Sequence, residues 1–195
     1  MISKRKKAKL WQMKLIRTAD AKALGITSSH LAYYAKQGKL ERLGRGVYRN
    51  PKLDLDLSGQ WEDLVAQVLS IPHGVVTGIS ALALYNVTDE IAREHWIAVP
   101  NNTTIGERPD VRIMRLRNYK LGISKIKVGE VEIPIYDLER TLVEAFRFYD
   151  PETYIKALKM AFALPYHQRP NVQKLARYCR KLRCNMHPYL MTVLT

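Results

Sequence analysis

Residues 18–49 decide the fold and read TADAKALGITSSHLAYYAKQGKLERLGRGVYR. Two short helical segments, 19–24 and 29–37, each follow a residue whose hydroxyl can cap a helix and precede a glycine that can end one. The second cap is Thr27 or Ser28, and only one glycine, one isoleucine and this cap separate the segments. This spacing predicts a helix-turn-helix.

A β-hairpin is predicted directly after the second helix. Segments 39–43 and 47–49 alternate in polarity, and Gly44, Arg45 and Gly46 form the turn between them. A hairpin in this position is a wing, so the stretch predicts a winged helix-turn-helix. A further helix before it is expected to carry the apolar residues Leu10, Trp11, Met13 and Leu15.

The outer face of the segment 29–37 is the first candidate site. At about 100° per residue, Leu31, Tyr34 and Ala35 point inward and leave a polar face outside. Such a face can read base edges in a major groove or hold phosphates, while an ordinary solvated helix face is the alternative. The residues expected to contact DNA here are Thr27, Ser28, Ser29, His30, Tyr33 and Lys36.

Basic residues of the wing and of the N-terminus extend this candidate site. Arg42, Arg45 and Arg49 lie on or beside the hairpin, and Arg45, between two glycines, can enter a minor groove. Lys6 and Lys7 are expected to contact phosphates from a flexible basic arm. The alternatives are a charged hairpin tip for the arginines, and a nuclear-targeting signal or a solubilising tail for the lysines.

The positive charge is concentrated at the two ends of the chain. The net charge is +14, with 13 Lys/Arg and 2 Asp/Glu in residues 1–50, 11 and 15 in residues 51–150, and 8 and 1 in residues 151–195. Basic ends around an acidic middle predict a polyanionic partner, with nucleic acid the first candidate and an anionic membrane surface the second. A hydrophobic content of 47% excludes long disorder.

The rest of the chain predicts a second domain. Residues 50–59 are polar and predict a linker, which places a winged helix-turn-helix domain at 1–57 and an α/β domain at 58–195. The predicted elements are helices at 61–69 and 79–85, strands at 95–99, 111–116, 123–128 and 131–135, and helices capped by Asp137 and Asp150. The predicted fold class is therefore α+β: an N-terminal winged helix-turn-helix, then a mixed α/β domain that ends in a helical segment.

A basic helix is predicted at residues 171–183. Val172, Leu175, Cys179 and Leu182 are expected to anchor one of its sides to the domain. The cations that would form an anion-binding patch on it are Lys174, Arg177, Arg180, Lys181 and Arg183. A solvated helix face is the alternative.

Patterns for catalysis, metal binding or membrane insertion are weak. The segment Gly78-Ile79-Ser80 is similar to the start of a nucleotidyltransferase loop, but the acidic pair Asp54 and Asp56 precedes it instead of following it. A faint nuclease-like pattern is carried by Asp110, Glu130 and Glu132. The two cysteines lack metal-ligand spacing, and the uncharged stretch 64–88 is divided by polar residues and a Pro-His-Gly break. No catalytic residue, metal, cofactor or membrane partner is expected.

Four stretches occur together in one order: LERLGRGVY at 40–48, VTGISALAL at 76–84, HWIAVP at 95–100 and DLERTLVE at 137–144. In order and spacing they resemble the AbiEi-type antitoxins of bacterial type IV toxin–antitoxin systems. The resemblance covers most of residues 15–150.

The resemblance implies a non-enzymatic, cytoplasmic bacterial protein with two roles. It implies an autorepressor whose winged helix binds double-stranded operator DNA at inverted repeats, and an antitoxin whose second domain neutralises a nucleotidyltransferase-like toxin. Carried over by position, the residues that face the operator are Ser28, Ser29, Tyr33 and Lys36, with Arg45 in the wing. The alternatives are a DNA-directed enzyme, either a small nuclease or a nucleotidyltransferase, and a plain transcription factor with a ligand-sensing domain.

Overall fold

The computed structural model describes residues 4–57 and 59–194. They form two compact units. The first comprises residues 4–72 and Lys127–Ile133, and the second comprises His73–Ile126 and residues 134–194. Both units combine helices with strands, so the predicted α+β class is confirmed.

The first unit is built on a winged helix. Its helices are α1 (Lys4–Trp11), α2 (Thr18–Ala23), α3 (Ser28–Lys36) and α4 (Gly59–Ser70), and its strands are β1 (Leu15–Arg17), β2 (Glu41–Gly44) and β3 (Val47–Arg49). The strands form an antiparallel sheet in the order β1-β3-β2. The side chains enclosed between helices and sheet are Leu10, Ile16, Ala21, Ile26, Leu31, Leu40 and Tyr48.

The secondary structure of the segment after α1 differs from the prediction. Met13 and Leu15 were expected on the first helix, but α1 ends at Trp11 and Leu15 begins strand β1. The carbonyl oxygen of Trp11 accepts a hydrogen bond from the side-chain amide of Asn50 at 2.9 Å. Since β1 pairs with β3 along its full length, long-range pairing overrides the local helical spacing.

The wing is fixed to the start of α2. The carbonyl oxygen of Gly46 accepts hydrogen bonds from the Thr18 N–H at 2.8 Å and from the Thr18 hydroxyl at 3.1 Å. Thr18 was expected to cap α2, but the N-cap is Arg17, whose guanidinium and N–H both reach the Asp20 carboxylate. Gly46 has φ +75°, and a Cβ there would lie 2.9 Å from the Thr18 hydroxyl oxygen, so the turn requires glycine.

The predicted linker begins inside the first unit. Asn50 is buried, and besides its bond to Trp11 its own N–H donates to the Lys14 carbonyl at 2.9 Å. Helix α4 follows and contacts β2 and β3. The compact unit therefore extends to residue 72, and the functional division at residue 57 stays a prediction.

The second unit holds most of a five-stranded mixed sheet. Its strands are β4 (Val75–Val76), β5 (His95–Pro100), β6 (Val111–Leu116), β7 (Ile123–Val128) and β8 (Val131–Tyr136), in the order β6-β5-β4-β8-β7. Strand β5 is parallel to β6 and antiparallel to β4. The four longer strands confirm the prediction, whereas the two-residue β4 was not foreseen.

Helices cover this unit with a separate apolar core. They are α5 (Gly78–Leu84), α6 (Leu138–Phe148), α7 (Pro151–Ala163), α8 (Val172–Leu182) and α9 (His187–Leu194), with a 3₁₀ turn at Tyr166–Gln168. The predicted caps are confirmed: Asp137 accepts the Arg140 N–H at 2.8 Å, and Asp150 accepts the Thr153 N–H at 2.9 Å. Helix α9 was not predicted. No helix within the described residues is long and apolar enough to cross a membrane.

Candidate nucleic-acid interface

The start of α3 is fixed by its own cap. Thr27 is the N-cap, and its hydroxyl oxygen accepts the His30 N–H at 3.4 Å and lies 2.7 Å from His30 Nδ1. Both side chains are exposed, yet each is already hydrogen-bonded to the other. They therefore position the first turn, with its free backbone N–H groups, and have less capacity left for a ligand.

The outer face of α3 presents polar groups together. Ser29, Tyr33 and Lys36 are exposed at helical spacing, and Ser28 is exposed beside them, while Leu31 is fully buried. Tyr33 is 57% exposed, which is unusual for a tyrosine next to a packed core. The structure thus places the four residues predicted to face DNA on one accessible side of the helix.

Tyr33 is held from behind by other aromatic rings. Its ring centroid lies 5.9 Å from that of Tyr34, which lies 5.1 Å from that of Trp11 in an edge contact. Such pairs restrict ring motion. The exposed phenol is therefore presented on a supported side chain.

The three wing arginines have different environments. Arg45 is exposed at the hairpin tip, and exposed Arg42 makes a long hydrogen bond of 3.4 Å to the Gly44 carbonyl. Arg49 instead pairs with Glu41 at 2.7 Å and with Glu62 at 2.6 Å. The hydrogen bond to Glu41 raises the pKa of Arg49, so its charge is compensated within the unit.

The basic N-terminal run is helical from Lys4 onward, where a flexible arm was predicted. Lys6 and Lys7 lie in α1, and their side chains are outside the part of the chain that the structure describes. Their expected phosphate contacts stay a prediction.

The five cations predicted to form the patch on α8 have two different environments. Arg177, Arg180 and Lys181 are exposed, as is Arg183, which ends the helix in a left-handed conformation. Lys174 instead donates to Glu139 at 2.8 Å and lies 3.2 Å from Asp137. The buried anchors are Leu175, Tyr178, Cys179 and Leu182, so the prediction for Val172 was wrong: Val172 is 41% exposed because the helix is rotated toward Tyr178.

Lys174 belongs to a partly buried network at the start of α6. The Glu139 carboxylate also accepts the Asn171 N–H at 2.8 Å, and the Asp137 carboxylate accepts the Tyr178 hydroxyl at 2.8 Å. Burial alone would raise the pKa of Glu139, but the hydrogen bonds from Lys174 and Asn171 outweigh it and lower this pKa. The stretch that carries part of the family resemblance thus attaches α8 to α6.

The segment Gly78-Ile79-Ser80, at the start of α5, is covered by neighbouring side chains. The Ser80 hydroxyl accepts the Trp96 N–H at 3.0 Å, and the Tyr149 hydroxyl accepts the Ile79 N–H at 2.7 Å. A Cβ on Gly78 would lie 2.5 Å from the Trp96 ring. Trp96 and Tyr149 therefore pack directly against this segment.

Acidic residues do not form a metal site in the part of the chain described. Across residues 4–57 and 59–194, no group of three His, Cys, Asp or Glu side chains could hold a metal ion. Glu130 pairs with Lys14 at 2.6 Å. The Asp110 carbonyl accepts the His95 N–H at 2.7 Å, which ties the start of β6 to that of β5.

Sequence reasoning predicted which side chains of α3 are exposed but missed the carboxylates that pair with the predicted cations. Glu62, which neutralises Arg49, lies 13 residues further along the chain, and Glu139 lies 35 residues before Lys174. The clustered acids of the segment Asp137–Glu139 were a usable signal, because acids at a helix start commonly attract a cation.

Part of this chain is similar to a known family of bacterial regulators. The model of the family described as "Transcriptional regulator, AbiEi antitoxin" matches residues 8–51. The match spans the winged helix from α1 to β3 and confirms the resemblance over that part of the chain. No curated protein matches the chain.

Proposed function

We propose that the chain is a DNA-binding transcriptional autorepressor that also acts as the antitoxin to a nucleotidyltransferase-like toxin. The observation that carries the DNA-binding part is the outer face of α3, where Ser28, Ser29, Tyr33 and Lys36 are exposed together. The family match over residues 8–51 supports the regulatory role. The operator is expected to contain inverted repeats, each read by one winged helix.

In this proposal α3 enters the major groove of duplex DNA. Hydroxyl groups of Ser29 and Tyr33 contact base edges, and Lys36 binds a phosphate. Arg45 reaches an adjacent minor groove from the wing tip, with Arg42 beside the backbone. Arg49 links β3 to β2 through Glu41 and to α4 through Glu62, and in this proposal it does not contact DNA.

A binding selection tests base reading. The full chain selects duplexes from a random pool, and fluorescence anisotropy then measures Kd for the selected duplex and for its scrambled form. Tyr33→Ala should reduce the difference in binding free energy between the selected and the scrambled duplex by about 1–3 kcal/mol. Lys52→Ala, which removes an exposed cation beyond the wing, is the matched control and should preserve that difference.

Salt dependence tests the phosphate contacts. With about six contacts or more, affinity should fall at least about 10³-fold between about 50 and 200 mM salt. Lys36→Ala should reduce the slope of log K against log salt by roughly one. Binding that is insensitive to salt, or an equal loss on both duplexes with Tyr33→Ala, would contradict the proposed interface.

Co-expression tests the antitoxin part. A nucleotidyltransferase-like protein encoded next to this gene should arrest growth, and the full chain should restore it. Replacing Arg177, Arg180 and Lys181 together by Ala should abolish rescue or weaken DNA binding if the patch is functional. Lys159→Ala, an exposed cation on α7, is the control. If the folded triple variant still rescues growth and binds DNA with unchanged affinity, the patch is only a solvated helix face.

A further inference from the structure

A cavity in the second unit lies where three loops converge at one sheet edge. Strands β5 and β6 run parallel and end in register, Pro100 opposite Leu116, so the segments after both strands meet there. Strand β4 is antiparallel to β5, which brings the segment before Val75 to the same edge. The carboxyl ends of parallel strands are where open α/β sheets bind ligands.

The cavity is basic. It has a volume of about 710 Å³, and its lining includes Arg117, Lys120 and Lys181 together with Asn101, Asn102 and Asn118. Among the residues that the structure describes, no Asp or Glu lines it. This size is within the range of small-molecule sites.

These cations differ from several others in the unit. Arg112 pairs with Glu94, Arg140 and Arg147 pair with Glu144, Lys156 pairs with Asp89, and Lys174 pairs with Glu139. Arg117, Lys120 and Lys181 are exposed and have no carboxylate partner within residues 4–57 and 59–194. Three uncompensated positive charges around one concavity favour an anion with several negative charges.

The loop that carries two of these cations is fixed from inside. The Tyr136 hydroxyl donates to the Tyr119 carbonyl at 2.8 Å, and fully buried Arg140 donates to the Asn118 carbonyl at 3.4 Å. The Tyr119 hydroxyl in turn donates to the His73 carbonyl at 2.6 Å. Because buried side chains hold the loop, Arg117 and Lys120 project from a preorganised backbone.

We propose that this cavity binds a nucleoside triphosphate. The three cations bind the phosphate chain, the apolar floor of Pro100, Leu116 and Leu121 contacts the base, and the asparagine amides bond to its polar edge. The site lies in a different unit from α3. The proposal is therefore independent of the proposed DNA interface and goes beyond it.

Calorimetric titration of the full chain at constant ionic strength tests the site. ATP, GTP, CTP and UTP are titrated separately, with inorganic tripolyphosphate and a single-stranded RNA oligonucleotide as further probes. At least one nucleotide should bind more tightly than tripolyphosphate, because only the nucleotide contacts the floor and the amides. The double variant Arg117→Ala/Lys120→Ala should weaken its binding by at least about tenfold.

Lys159→Ala is the matched control, since it removes an exposed cation of the same unit that neither lines the cavity nor belongs to the patch on α8. It should change nucleotide affinity by less than about twofold. Thermal denaturation checks that the double variant is folded, as expected for exposed positions. The proposal is overturned if no nucleotide binds, if tripolyphosphate binds equally well, if the double variant binds normally, or if RNA alone binds.

Discussion

Replacing Glu139 by Gln isolates the charge that attaches α8 to α6. Glu139 is 8% exposed, and its carboxylate accepts hydrogen bonds from the Asn171 N–H and the Lys174 ammonium, both at 2.8 Å. An amide of the same shape keeps one acceptor oxygen for Asn171 but carries no charge for Lys174. Glu139→Gln therefore removes the ionic contribution while leaving the packing in place.

The expected loss of unfolding free energy depends on how buried Glu139 and Lys174 are. A hydrogen bond to a charged group contributes about 1.5–3 kcal/mol. The Lys174 side chain is 32% exposed, so solvent screens the pair, and we expect a loss near the lower end, about 1–2 kcal/mol. Because the folded pKa of Glu139 is lowered, its contribution is complete above the unfolded pKa and is lost as the pH falls through the folded value.

Urea denaturation followed by circular dichroism measures both effects. The difference in unfolding free energy between wild type and Glu139→Gln should be largest at neutral pH and should decrease below about pH 4. Glu107→Gln, at an exposed acid, is the control and should stay within about 0.5 kcal/mol of wild type. A neutral-pH loss below about 0.5 kcal/mol, or one that persists unchanged in acid, would refute the assigned role of Lys174.

Three further perturbations test other parts of the fold. Gly46→Ala should destabilise the protein by about 1–2 kcal/mol in thermal denaturation, because it places a Cβ at positive φ against Thr18 at the start of α2. An unchanged stability would contradict the tight contact between the wing and α2. Tyr149→Phe should cost about 1–3 kcal/mol, because the buried Ile79 N–H loses its acceptor, and a neutral result would mean that water replaces the hydroxyl. A hydrogen bond between the Cys184 and Cys179 side chains lowers the pKa of Cys179, so Cys184→Ala should shift the thiolate absorbance titration of Cys179 to higher pH. A fixed midpoint would mean that the Cys184 thiol donates to the Cys179 carbonyl oxygen, 3.8 Å away, and not to the Cys179 sulfur.

The winged helix was predictable because its signals are local. The Thr27 cap, the inward spacing of Leu31 and Tyr34, and the glycines of the hairpin each act within a few residues of the structure that they determine. Helix caps and left-handed turns depend on short-range hydrogen bonds and sterics. The same holds for the caps of α6 and α7 in the second unit.

Strand β1 was not predictable in this way. Leu15 and Met13 continue an apolar spacing compatible with a helix, and nothing local shows that Ile16 pairs with Tyr48. A three-residue strand has almost no periodicity of its own, so its identity depends on the partner strand. Asn50 is a similar case, because its burial follows from the Trp11 carbonyl that it satisfies.

The sequence also cannot distinguish a compensated cation from an available one. Arg49 and Arg45 are separated by three residues, yet one is neutralised by Glu41 and Glu62 while the other is exposed at the wing tip. The net charge of +14 predicts a polyanionic partner, but only cations without a carboxylate partner can release counterions when they bind one. The number of cations available for phosphate contacts therefore depends on how the fold distributes its 18 acids, and charge counting alone cannot tell which of the basic residues are available.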